Sequence, residues 1–70
     1  MSETNDVIET RRLVGEAERR RLTGISRSSW YELERVGAVP RRVMVLPGRT
    51  GWRLAELLDW VAQRPAYAGD

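Results

Sequence analysis

Fifteen consecutive residues near the middle of the chain, Thr23–Gly37 (TGISRSSWYELERVG), leave little choice of local structure. Gly24 follows a run of helix formers, where a glycine in the left-handed conformation closes a helix. Two residues on, Ser26 carries the side chain that caps a new one. With Ser26 as cap, Ile25 and Trp30 fall at the two positions of a hydrophobic staple. A later start, with Ser29 as cap and Glu32 completing a capping box, competes with this reading; the staple favours the longer helix. At about 100° per residue, Trp30, Leu33 and Val36 share one side, with Ser29 near their edge. Arg27, Ser28, Tyr31 and Arg35 share the other, flanked by Glu32. Gly37 stops the helix. Two short helices across a tight turn, the second with a polar outer face, make a helix-turn-helix.

The flanks extend this unit. Gly15–Leu22 (GEAERRRL) reads as the first helix, with Glu16 expected to pair with Arg20 at i,i+4. Ala17 and Leu22 are its apolar positions, and Leu13-Val14 is an extended lead-in. Ala38–Arg42 is a loop turned by Pro40. Arg42–Leu46 and Thr50–Arg53 read as two strands joined by Pro47-Gly48-Arg49, a hairpin with Arg49 at its tip. Val43–Leu46 does not alternate, so either face can be the inner one. Leu54–Arg64 is the last helix: Leu54, Leu57, Leu58 and Val61 follow helical spacing, Leu57 and Trp60 add a second row, and Pro65 ends it. The expected class is mainly α with a small β-hairpin, in the order α-α-β-β-α, a winged helix-turn-helix. A flexible acidic leader over residues 1–12 and a flexible tail over 65–70 would flank a domain at 13–64.

Seventy residues suffice for one domain, and a chain of this size buries only about 60% of its unfolded surface. With no cysteine, disulfides and thiolate–metal sites are excluded, so stability falls to three tryptophans and a modest aliphatic set. No apolar run has the length of a membrane span, which predicts a cytoplasmic protein without a membrane partner, nucleoid-associated if its partner is DNA. The net charge of +2 conceals an asymmetry. Residues 1–10 hold three acids and no base, whereas residues 11–53 hold eleven arginines against four glutamates. Such a field favours a polyanion as partner. Enzymatic readings fail on inventory. The chain has no histidine, cysteine or lysine, its carboxylates are scattered, and Gly48-Arg49-Thr50-Gly51 is no phosphate loop. No cofactor or metal is expected.

Double-stranded DNA is the expected partner, with the helix at 26–36 in the major groove and the hairpin at 42–53 on backbone or minor groove. Arg27 lies at the N-terminal end, where such helices meet base edges and a forked guanidinium can take guanine O6 and N7 together. Ser28 and Ser29, with the free amides of the first turn, suit a phosphate or a base edge. Tyr31 and Arg35 continue the face. Glu32 can accept from cytosine N4 or pair with Arg35 instead. Arg49 on the hairpin reaches phosphate or minor groove, and Arg41, Arg42 and Arg53 track the backbone. Arg20, in the Arg19-Arg20-Arg21 run, belongs either to a backbone contact or to a solvated face. Trp30 and Trp60 are read as core. Leu54 and Leu58 widen the apolar arc of the last helix, as surface leucines or as a seam for a second copy or a recombinase.

From Leu13 to Pro65 the chain resembles the AlpA family of small prophage regulators, within the MerR-like and excisionase-like winged-helix group. The resemblance is carried by Leu22-Thr23-Gly24-Ile25-Ser26-Arg27-Ser28, by Tyr31, by Gly37 with Pro40, and by Trp52-Arg53 followed by Trp60. It implies a DNA-binding protein that activates a prophage or integrase gene, or an excisionase-type directionality factor that bends attachment-site DNA. It implies base and phosphate contacts at Arg27, Ser28 and Ser29 and a wing contact at Arg49. Recombinase, RNA polymerase and self-association on DNA are the protein partners it suggests; a protein-interaction module without a specific DNA role is the reading from another class. Two departures stand out. Arg19 occupies a position where members commonly carry an aliphatic residue, predicting a weakened core or a snorkelling stem. The last helix also lacks a polar cap.

Overall fold

The structure, a computed structural model, describes residues 10–69; most of the expected acidic leader, residues 1–9, lies outside the described residues, as does Asp70. The elements run β1 (Leu13–Val14), α1 (Glu16–Thr23), α2 (Arg27–Arg35), β2 (Val43–Leu46), β3 (Arg49–Arg53) and α3 (Leu54–Ala62). This is the expected winged helix-turn-helix with one addition. The lead-in Leu13-Val14 is a strand, antiparallel to β3, so the sheet has three strands in the order β1-β3-β2.

Local chemistry accounts for the helix-turn-helix. Gly24 adopts φ 73° and its N–H donates to Arg20 O at 2.8 Å, the left-handed closure that a side chain would disfavour. The Ser26 hydroxyl accepts from Ser29 N at 3.3 Å, so α2 starts at the earlier of the two candidate caps. Ile25 packs against the core that contains Trp30. The far end of α2 closes with Ala38 N bonded to Leu33 O and Gly37 N to Glu34 O, the paired pattern of a Schellman motif. Val36, expected on the inner side, is the C-cap of α2 and is 72% exposed. Helical spacing no longer governs where it points.

The core is Val14, Trp30, Val39, Trp52, Leu54 and Leu57, with Leu22, Ile25, Leu33 and Trp60 packed around it. Trp30 sits at its centre, with Trp52 and Trp60 edge-on at 6.2 and 5.4 Å between centroids. The Trp60 indole donates to Ala38 O at 2.9 Å and ties α3 to the loop after α2. The Trp30 and Trp52 indole N–H groups are buried without hydrogen-bond partners, a cost of about 1–3 kcal/mol each. Leu54 is part of this core, so it is neither a surface leucine nor free to form a seam; Leu58 and Val61 are exposed. α3 stops at Ala62, two residues short of the expected Arg64. It starts without a side-chain cap, and Leu54 N donates instead to Arg12 O at 2.9 Å, extending the β1–β3 ladder into the helix.

Helix α1 departs most from expectation. Ala17 is exposed, and the buried residue of the helix is Arg19, with no exposed surface. Its stem does not snorkel. The head is held inside by Glu16, which pairs with Arg19 at i,i+3 rather than with Arg20.

In the hairpin, Val43 and Val45 face inward while Met44 and Leu46 are exposed. Leu46 pairs with Arg49, Met44 with Thr50 and Val43 with Gly51, which leaves Val45 as a bulge. Gly51 is required by close approach. A Cβ there would lie 2.6 Å from Val14 O of β1 and 2.9 Å from Val45 Cγ2 of β2. Arg42 lies in the loop rather than in the strand, and Arg49 is the first residue of β3 rather than part of the turn.

Candidate nucleic-acid interface

The outer face of α2 carries Arg27, Ser28, Tyr31, Glu32 and Arg35, all exposed. Arg27, Tyr31 and Arg35 recur every four residues and form one stripe. An Arg27 Nη2 donates to the Tyr31 hydroxyl at 3.3 Å, and its guanidinium carbon lies 5.5 Å from the ring centroid. That hydrogen bond, with the charge interaction behind it, raises the Arg27 pKa above its ordinary value. The side chain is a permanent cation. Ser26 and its carbonyl take the amides of Ser29 and Trp30, leaving those of Arg27 and Ser28 without an intrahelical acceptor, as at any helix start.

Arg42 joins this stripe from outside the helix. Its guanidinium carbon lies 5.3 Å from the Tyr31 ring, and its Nε reaches Glu34 at 3.3 Å. Glu34, half-buried on α2, thus anchors the root of the wing to the second helix. Arg35, Arg41, Arg42 and Thr50 line one cleft between the end of α2 and the wing, and Arg41, Arg42 and Arg53 line the next.

The remaining expected residues divide. Arg35 is paired with Glu32 at 2.9 Å, the intrahelical alternative to base contact for that glutamate. Arg53 lies 3.7 Å from Glu56. Ser29 faces a different groove, beside Ile25, Leu33 and Val36, away from the stripe. Arg20 and Arg49 are exposed on α1 and β3. Among the described residues, Arg20, Arg27, Arg41 and Arg49 form no ion pair. On α1, Glu18 accepts from both Arg12 Nη groups and meets Arg21 at 3.7 Å; the Arg12 hydrogen bond holds its carboxyl below the usual glutamate range. No group of three or more acidic, histidine or cysteine side chains that could hold a metal occurs among the described residues.

Sequence reading missed one participant, Glu34, and singled out Arg19 for a weakened core or a snorkelling stem rather than for its buried pairing with Glu16. Arg42–Glu34 joins a loop to a helix at no periodic spacing, so no pattern announces it.

A winged helix-turn-helix with arginine and tyrosine on its second helix and arginines at the wing root is the class that fold and surface define. More narrowly, residues 12–65 match the family model for the prophage CP4-57 regulatory protein (AlpA), and the chain belongs to that family. It is a prophage-related regulator from a family of regulators rather than enzymes. No curated protein and no solved structure matches the chain. No helix among the described residues is long and apolar enough to cross a membrane.

Proposed function

We propose that this protein is a sequence-specific, double-stranded-DNA-binding regulator of prophage or mobile-element genes. In this reading α2 enters the major groove, with Arg27 and Ser28 at base edges and Tyr31 and Arg35 along the groove wall. Arg41, Arg42, Arg49 and Arg53 follow the backbone or the adjacent minor groove, and Arg20 meets the backbone from α1. Ser29, whose amide is held by the Ser26 hydroxyl and whose side chain lines the groove beside Ile25 and Leu33, shapes the helix start without a contact of its own, and Glu32 is divided between cytosine N4 and Arg35.

One observation carries the reading: Arg42 packs on Tyr31 and pairs with Glu34, so the wing root and the stripe on α2 form a single cationic surface. A solvated helix face has no need of such a tie. Clustered arginines beside a groove-sized helix fit phosphates, and their forked donors fit guanine.

The test is a titration of a labelled duplex over a range of salt concentrations. Five phosphate contacts would give a log–log slope of about −4.5, and Arg49→Ala would make it shallower by about one. Binding that is absent, or indifferent to salt, would contradict the reading. An unchanged slope in Arg49→Ala would remove the wing from the interface.

A further inference from the structure

Arg19 is a charged side chain in the centre of a small core. A guanidinium there is costly unless its donors are placed. Its donors divide between two tasks. Nε and one Nη engage the Glu16 carboxylate on the same helix. The other Nη reaches out of α1, to Ile25 O at 2.6 Å and Thr23 Oγ1 at 3.3 Å.

Ile25 belongs to neither helix; it lies in the turn that sets their relative direction. The Thr23 hydroxyl closes the same turn, donating to Arg19 O at 3.0 Å and accepting from Ile25 N at 3.2 Å. The guanidinium carbon also lies 4.7 Å from the Trp30 ring of α2 and 5.8 Å from the Trp52 ring of β3. One side chain therefore touches α1, the turn, α2 and the central strand. An aliphatic residue could fill the volume but could not orient the Ile25 carbonyl. Hydrogen bonds are directional, whereas dispersion contacts tolerate a range of angles.

We propose that Arg19 is a positioning residue: it fixes the angle at which α2 leaves the turn, and so aims the stripe of Arg27, Tyr31 and Arg35. It touches no partner itself. The buried charge contributes uniqueness of geometry more than stability, a role that buried ion pairs fill in some proteins. The second half of this inference rests on the DNA-binding reading; the first half does not.

Arg19→Met in the full chain separates them. The variant is expected to remain folded by circular dichroism, with amide exchange of Gly24, Ile25 and Ser29 faster by about tenfold and that of α3 unchanged, as for a local opening. Its preference for the selected duplex over random DNA should fall by about tenfold, the equivalent of about one misread base pair. Affinity for random DNA should stay within about twofold, because phosphate contacts are indifferent to small tilts. A purely structural role would lower both affinities together and loosen α3 as well. That outcome overturns the proposal, as does unchanged exchange in the turn. Should Arg19→Met fail to fold, Thr23→Val removes the shared acceptor and is read by the same criteria. A wild-type chain without preference for any duplex overturns the DNA-binding reading, and the exchange data then decide the positioning role alone.

Discussion

In the proposed reading, Arg27 is the residue on which base recognition turns. It is exposed, forms no ion pair among the described residues, and is steadied by the Tyr31 hydroxyl. Holding a long side chain in one direction lowers the entropy lost when it docks. Arg27→Ala is expected to cost about 1–3 kcal/mol on the preferred duplex and much less on random DNA, measured by paired titrations. Equal losses on both would make Arg27 a phosphate contact. The stripe was legible because a cap and a helical period fix which residues share a face. Arg19 was not. Glu16 stands at a workable spacing from both Arg19 and Arg20, and the choice is made by Ile25 O and two indole rings brought in by folding.

At the scale of elements, the helix-turn-helix is local and the wing is not. Gly24, Ser26 and Gly37 act on their immediate neighbours, so both ends of the turn and both ends of α2 were readable to within a residue or two. In β2, four consecutive apolar residues gave no alternation, and the inward pair, Val43 and Val45, is selected by the bulge and by β3. Strand β1 is two residues long and exists only because Trp52 and Arg53 pair with it. The start of α3 is completed by a carbonyl from Arg12, so no capping residue was there to find. At Gly51, β3 is closely flanked by β1 on one side and β2 on the other. Gly51→Ala would press a methyl group against the Val14 carbonyl and Val45, at a cost of about 1–3 kcal/mol. Thermal unfolding should then show Tm lower by about 5 °C or more. An unchanged Tm would mean that β1 can move away freely and does not lock the wing.

Over the whole molecule, charge is used in two ways. The four glutamates between residues 11 and 53 are all engaged: Glu16 with Arg19, Glu18 with Arg12 and Arg21, Glu32 with Arg35, and Glu34 with Arg42. The exposed pairs contribute little individually, on the order of 0–1 kcal/mol. Their effect, with Glu56 beside Arg53, is to leave Arg11, Arg20, Arg27, Arg41 and Arg49 without an ion pair among the described residues, whereas Arg35, Arg42 and Arg53 must share their heads between a glutamate and a polyanion. These five come from the segment before β1, α1, α2, the loop and the wing, a spread that matches a duplex better than a compact ligand. The overall composition announced the surplus of arginine, but only the fold says which of them are taken.

Selection of binding sites from a pool of random duplexes tests the central claim, that α2 reads base sequence. The account predicts that the wild-type chain enriches one short motif and that Arg27→Ala enriches it weakly or loses one of its positions. A pool that stays random through successive rounds, although DNA is retained, would contradict it and leave a cationic surface that holds DNA without reading it.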